Sequence, residues 1–436
     1  MNLDKSTLIE ILSDYNLWGN FKKNLQERPE YALKLSENLG TNTINVIKGI
    51  RRSGKSSICI KYIQNNYNNE DSLIINLEDP RLPVNGDSTM LMELLHAYQE
   101  YINPDNLKIV VIDEVQNASG WERFARYLFE TKNIKCIVTG SSAKLLSEEY
   151  ATLITGRHID IQVFPLSFYE YLHFKGFNIN SRIDIVNKKF EIINMLNEYI
   201  EYGGFPEAVI INNKDVKRDL VKNYFNDIII KDVAKRYKIR NISQLEQISM
   251  ELLSNISGIA SLRSISRSYN ISLGTVERFF KYLSASYLFI TIDKYNYSKR
   301  KQNKSLKKIY TVDTGIYNAL SFKFSKQNGK IMENIVAIEL FRRINNLDKT
   351  LYYWRDYQDH EVDFVITNND TIDELLQVTY SSSYESIQKR EIENIIKAGE
   401  ELHCKNLKII TWDYEDVKTV DNSKIYFTPL WKFLIG

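Results

Sequence analysis

Cysteine is scarce in this chain: Cys59, Cys136 and Cys404 are the only three in 436 residues. Their odd number and wide spacing exclude a disulfide framework and give no metal-ligand pattern, so a reducing, cytoplasmic compartment fits best. The five histidines (His96, His158, His173, His360, His403) show no paired spacing either. Seven prolines and 17 glycines leave little room for long flexible linkers. Neither sign of charge dominates: 57 Lys and Arg stand against 55 Asp and Glu, for a net charge of +2. A nucleic-acid role would therefore need a local basic patch. No apolar run approaches the roughly 18 residues that span a bilayer, so no membrane segment is expected. The start, MNLDKSTLIEILSDYNLW, is acidic and helically spaced and does not read as a signal peptide. What is present is an ordinary globular composition, 43% hydrophobic and 26% charged. At about 150 residues per domain, the length corresponds to roughly three domains.

The strongest signal comes early. Residues 43–48, TINVIK, are apolar and β-branched, as a buried strand should be. Gly49-Ile50-Arg51-Arg52-Ser53-Gly54-Lys55-Ser56 follows, and Ser57 opens the helix-like SICIKYIQNNY. This is G-x-x-x-x-G-K-[ST] in the strand–loop–helix setting the motif requires. Gly49 and Gly54 permit the tight turn that aims the loop's backbone N–H groups at a phosphate, and the next helix points its positive end at the same anion. Lys55 would reach the β- and γ-phosphates, and Ser56 would offer a hydroxyl to Mg²⁺.

A second buried strand, LKIVVI at 107–112, ends in Asp113-Glu114. Asp113 would hold Mg²⁺, mostly through water, and Glu114 would orient and deprotonate the attacking water. A solvated acidic strand end is the other reading, weakened by the complete phosphate loop. SLIINLE (72–78) lies between the two motifs. A further strand, IKCIVT (134–139), ends in Thr139-Gly140-Ser141-Ser142, where Ser141 or Ser142 would stand beside Asp113 as a γ-phosphate sensor. HIDIQVF (158–164) makes a fifth strand. This order implies an α/β fold, a parallel sheet with helices on both faces.

The motifs GIRRSGKS, INLEDPR, VVIDEVQNASGWERF, IVTGSSAKLLS and TGRHIDIQVFPLSFYEYL resemble those of bacterial and archaeal AAA-type P-loop ATPases with a C-terminal domain of unknown function. The likeness continues through YGGFPEAV (202–209), KIYTVDTGIYNAL (308–320), GKIMENIVAIEL (329–340) and EVDFVI (361–366), and so covers nearly the whole chain. The resemblance implies an ATP-dependent enzyme related to the AAA+ ATPases. It also marks Arg157, in a Gly-Arg pair, as an arginine that could steady charge on the γ-phosphate of its own or a neighbouring subunit. A surface salt bridge is the other reading of Arg157.

The expected organisation is a P-loop ATPase core at 1–165, a helical lid at 166–240, a winged helix at 241–325 and a nuclease-like α+β domain at 326–436. In the third segment ISQLEQISMELLSNI, SLRSISRSYN and LGTVERFFKYLSASYLF have the helix-turn-helix outline. Two strand-like stretches follow, ITIDKYNY and LKKIYTVD, joined by SKRKQNK. The interval 294–308 holds Lys294, Lys299, Arg300, Lys301, Lys304, Lys307 and Lys308 and no acid, so it reads as a basic β-wing for DNA, or else as a solvated hairpin in a packing module.

In the last segment the order helix, strand pair, helix, strand looks like the PD-(D/E)XK nuclease fold, with Glu333 and Asp363 in the acidic positions. The Glu-x-Lys position reads Gln377-Val378-Thr379, which lacks both the second carboxylate and the lysine. Glu361 and Asp363 share a strand face. An inactivated nuclease fold used for binding or assembly is therefore expected. The sequence thus points to a Mg²⁺-dependent ATPase acting as a switch or machine on a protein or DNA partner, with homo-oligomerisation open. An ATP-gated DNA nuclease is the alternative, and a non-hydrolysing scaffold is disfavoured by Lys55, Asp113 and Glu114.

Overall fold

Period-two alternation of apolar residues builds the first sheet. In the computed structural model, which describes residues 4–41, 43–83, 86–141, 156–179, 181–321, 327–344 and 348–436, the elements of the first unit are α1 (Lys5–Ser13), α2 (Pro29–Leu39), β1 (Ile44–Gly49), α3 (Lys55–Asn66), β2 (Ser72–Asn76), α4 (Ser88–Tyr101), β3 (Ile109–Asp113), α5 (Trp121–Lys132), β4 (Lys135–Gly140) and β5 (His158–Val163). The strands are all parallel, in the order β2-β3-β4-β1-β5. Successive side chains point to opposite faces. Leu73, Val110, Ile112 and Val138 therefore pack with α1, α4 and α5, while Ile74, Ile109, Val111 and Ile137 pack with α2 and α3. Because β3, β4 and β1 are adjacent, everything that follows their carboxyl ends collects at one rim of the sheet, where α/β folds bind ligands.

The chain divides into two compact units, Met1–Val163 and Phe164–Gly436. The second opens with α6 (Phe168–Phe174), α7 (Arg182–Asn187), α8 (Lys189–Tyr202), α9 (Pro206–Ile210) and α10 (Lys214–Asp227), the last running into a π-helical stretch, Ile228–Lys235. Then come α11 (Ile242–Ser254), β6 (Gly258–Ala260), α12 (Leu262–Ser268), α13 (Leu273–Ala285), β7 (Phe289–Lys294), α14 (Lys299–Lys304), β8 (Lys307–Thr311) and α15 (Thr314–Leu320). The C-terminal part contributes α16 (Asn328–Ile344), β9 (Lys349–Arg355), β10 (Glu361–Asn368), β11 (Thr371–Val378), α17 (Lys389–Glu401), β12 (Leu407–Thr411), β13 (Asp416–Val420), β14 (Ser423–Pro429) and α18 (Leu430–Ile435).

Two features differ from the sequence expectation. The basic link between the two wing strands is not a loop but the short helix α14. The segments 241–325 and 326–436 also share one mixed sheet, in the order β13-β14-β12-β11-β10-β9-β7-β8-β6. β7 is the join: it runs antiparallel to β8 (Phe289 opposite Thr311) and parallel to β9 (Asp293 opposite Tyr352). An open strand edge exposes unpaired N–H and C=O groups, and β9 covers the edge that β7 would otherwise present.

The Gly-Gly-Phe-Pro turn after α8 has a specific cause. Gly203 has φ +77°, and a Cβ there would lie 1.8 Å from Asp313 Oδ1. Asp313, the N-cap of α15, accepts from the Gly204 N–H at 2.7 Å and the Gly315 N–H at 2.9 Å. Burial pushes its carboxyl up to about 6 against the pull of those N–H groups. Among the described residues, no helix is long and apolar enough to cross a membrane.

Candidate functional site

The loop between β1 and α3 is shaped by residues without room for side chains. Gly49 has φ +154°, and a Cβ on it would sit 2.1 Å from the Val163 carbonyl oxygen on β5. Arg52 (φ +68°) and Gly54 (φ +94°) are both left-handed, and Gly54 caps α3 with no side chain to occupy the helix's first N–H groups. Ile50 is fully buried. Lys55, 4% exposed, donates from Nζ to the carbonyls of Gly49 and Ile50, both at 3.1 Å. Arg51 pairs with Glu78 at 2.9 Å. Ser53 is buried, and its Oγ has no hydrogen-bond partner among the described residues. Its carbonyl accepts from Arg28 Nη1 at 3.0 Å, which ties the loop to the start of α2. Ser57 lies half-buried in the first turn of α3.

The acids meet this loop from β3. Ser56 Oγ lies 2.9 and 2.7 Å from the two carboxylate oxygens of Asp113, and Lys55 Nζ is 3.8 Å from Glu114 Oε1. Burial, reinforced by the neighbouring Glu114 charge, pushes Asp113 up to about 6, while its bonds from Thr139 and Ser56 pull the other way. Glu114 is itself left-handed (φ +56°), and its N–H donates to Thr139 Oγ1 at 3.1 Å.

The sequence reading set Ser141 or Ser142 beside Asp113, but the side chain found there is Thr139, whose hydroxyl donates to Asp113 Oδ1. The register explains it: Ile112 faces Val138, so the next residues on each strand, Asp113 and Thr139, stand side by side. Ser141 is buried 3.5 Å from Gln116 Nε2. Ser142 lies outside the described residues. Arg157 forms an ion pair with Glu130 on α5, which Arg126 also contacts.

The donor set can be tested against a nucleotide and its metal. Ser56 and Asp113 supply hard oxygen ligands of the kind Mg²⁺ takes. The uncapped end of α3, the buried Lys55 ammonium and the partnerless Ser53 hydroxyl suit a phosphate chain. These groups could hold Mg²⁺ and a nucleoside triphosphate together. Arg28, Thr139 and Gln116 escaped the sequence reading. Only the strand register could have exposed Thr139, and no local signal marks Arg28.

The second cluster of titratable groups lies in the C-terminal half and corrects the wing. Lys308, counted there among exposed basic residues, is 1% exposed. Its Nζ lies 3.0 Å from Glu333 Oε1, 3.0 Å from Asp363 Oδ1 and 2.6 Å from Glu361 Oε1. Adjacent strand residues point opposite ways, so Lys307 turns outward to pair with Asp293 at 2.7 Å while Lys308 turns in. Burial alone would lower the Lys308 ammonium, but Asp363, Glu333 and Glu361 outweigh it and raise it. Tyr310 donates to Glu333 Oε1 at 2.9 Å, the Val378 N–H donates to Asp363 Oδ2 at 3.0 Å, and Gln377 Oε1 accepts from the Asp363 N–H at 3.3 Å. Lys299, Arg300, Lys301 and Lys304 of the basic stretch do remain exposed, on and at the ends of α14. Among the described residues, no group of three or more His, Cys, Asp or Glu is arranged to hold a metal ion.

Three family models match successive parts of the chain. The family model described as AAA domain matches residues 41–172. Two models described as Domain of unknown function, DUF8612 and DUF4143, match residues 193–327 and 328–433. An uncharacterized protein of Methanocaldococcus jannaschii is 36% identical over 403 residues, covering 90% of this chain and 88% of that protein. An uncharacterized protein of Haemophilus influenzae is 29% identical over 422 residues, covering 94% of this chain and 99% of its own. Among solved structures, a Walker-type ATPase of Pyrococcus abyssi is similar at 15% identity and a TM-score of 0.46, over 70% of this chain and 99% of that one.

Proposed function

The chain belongs to the family of AAA-domain P-loop proteins that carry two further domains of unknown function, and we propose that it is a Mg²⁺-dependent ATPase that acts as a nucleotide-driven switch on a protein or DNA partner. One observation carries this: Ser56 at the head of α3 and Asp113 at the end of β3 meet at 2.7 Å. The same two elements bring Lys55 to within 3.8 Å of Glu114.

In this reading the amides from Gly49 to Ser57 and the Lys55 ammonium bind the phosphates, and Ser56 and Asp113 hold Mg²⁺. The metal, when bound, offsets charge on the β- and γ-phosphates. Glu114 accepts a proton from the attacking water, while Thr139 fixes both Asp113 and the Glu114 backbone. Thr139, rather than Ser141, takes the sensor position beside Asp113 in this reading. Arg157, paired with Glu130, would have to exchange that carboxylate for a phosphate, in its own subunit or a neighbour's.

Lys55→Ala should abolish nucleotide binding measured by calorimetry. Glu114→Gln should keep binding and lose turnover, and wild-type turnover in that variant would remove Glu114 from the role of base. For the partner, the exposed basic residues of α14, with Arg263, Arg267, Arg278 and Lys281 exposed on α12 and α13, favour DNA. Affinity should then fall steeply with salt, and neutralising Lys299, Arg300 and Lys301 together should flatten that slope. The ATP-gated nuclease has less support, because the Lys308 ammonium occupies the centre of the carboxylate group a metal would need.

A further inference from the structure

The carboxylate read as the base is not held alone. Gln116 lies in the short 3-10 turn Val115–Asn117 that follows Glu114. Its Nε2 donates to Glu114 Oε2 and lies 3.5 Å from Ser141 Oγ on the neighbouring strand's extension. The other end of the amide, Oε1, is buried and makes no hydrogen bond among the described residues. A side-chain amide carries two donor hydrogens and two acceptor lone pairs. Here the donor end is engaged and the acceptor end, among the described residues, is idle, although leaving a buried carbonyl unpaired is unfavourable. A glutamine kept only to brace the turn would have no use for that unpaired end. The left-handed backbone at Glu114, itself unfavourable for a residue with a Cβ, turns the chain sharply between Asp113 and the glutamine. A magnesium ligand, a base and an amide thus follow one another within four residues.

We infer that Gln116 is a positioning residue for the water that attacks ATP. The inference rests on the ATPase reading above and on Glu114 as its base. Gln116 Nε2 fixes the Glu114 carboxylate, and Oε1 accepts one O–H of the water whose other O–H points to Glu114. With both hydrogens directed, the water's lone pair faces the γ-phosphorus. Attack forms the bond from water oxygen to γ-phosphorus, and the bond from γ-phosphorus to the bridging oxygen breaks, its electron pair leaving on ADP. The proton released from the water passes to Glu114. Ser141, reached by the same Nε2, links this pair to the strand that ends beside Asp113.

The test is steady-state ATP hydrolysis and calorimetric binding of a slowly hydrolysed ATP analogue with Mg²⁺, on the full chain. The variants are Gln116→Met, which keeps the side chain's bulk and removes both polar ends, and Gln116→Ala. Both should lose on the order of 100-fold in kcat, the scale set by misplacing a reacting group. KM and analogue affinity should stay within about twofold, since neither amide end is needed to bind phosphates. Gln116→Met at the wild-type rate would overturn the inference. So would an equal loss of rate and analogue affinity, which would mark Gln116 as a brace for the loop. Glu114→Gln, run alongside, separates the two failures. If it still turns over, the base assignment falls; if it is dead while Gln116→Met is fully active, only the role of Gln116 falls.

Discussion

Lys308 Nζ and Asp363 Oδ1, 55 residues apart in sequence, sit 3.0 Å from each other inside the second unit. The pair joins β8 to β10, the middle strand of the nine-stranded sheet. Glu333 and Glu361 complete the group around the same ammonium.

Among the described residues, removing that ammonium leaves Asp363 and Glu333 facing each other without a cation, while Glu361 keeps only Arg355 at 4.0 Å. Breaking a buried ion pair in this way costs about 3–5 kcal/mol. Lys308→Met should lower the urea midpoint of the full chain by a corresponding amount. An unfolding free energy within about 0.5 kcal/mol of wild type, the range of ordinary surface changes, would show that the group contributes nothing to folding.

The same group makes stability depend on pH. Burial, with the neighbouring Asp363, pushes Glu333 from its ordinary 4.5 up to about 8. The folded chain then holds this proton over a range where the unfolded chain has released it. Stability from this residue is therefore full at low pH and falls as pH rises from 4.5 to about 8. Glu333→Gln keeps the oxygen that accepts from Lys308 and Tyr310, so its stability should match wild type at low pH, where Glu333 holds its proton, and the decline toward neutrality should vanish. Denaturation at several pH values reads this out, and an unchanged slope in Glu333→Gln would assign it elsewhere.

Gly203→Ala forces a left-handed alanine whose Cβ meets the Asp313 carboxylate at 1.8 Å. Strain of this kind costs about 1–3 kcal/mol before any clash is counted. A clear drop in Tm is expected, whereas an unchanged Tm would mean that the α8 turn and Asp313 readily separate.

Thr139→Val keeps the strand's shape and deletes one hydroxyl that serves both Asp113 and the Glu114 N–H. ATP turnover should fall at least tenfold, about 1.4 kcal/mol in barrier, with a smaller effect on stability. Full activity in this variant would return the sensor position to Ser141.

The phosphate loop, the acid pair and the five parallel strands could be read from the sequence because each depends on local spacing: glycines at fixed intervals, acids after an apolar run, apolar residues in alternation. Arg28, bonded to the Ser53 carbonyl from 25 residues upstream, could not. Nor could Thr139, which depends on which strand lies beside β3. Lys308 misled the reading for a related reason. It falls in a run of basic residues, and only the parity of a strand decides that its neighbour Lys307 faces water while it faces three acids. The partnership of β7 with β9 rests on pairing across more than 50 residues, which composition and periodicity do not encode.

That partnership has a mechanical meaning. With one side of β7 bonded to β8 and the other to β9, the two flanking segments are planks of a single deck. A displacement of β8 would reach β9 through β7, by way of the pairs Asp293 with Tyr352 and Lys294 with Tyr353. Cutting the chain after α15 would bare the β7 edge and part Lys308 from Glu333, Glu361 and Asp363.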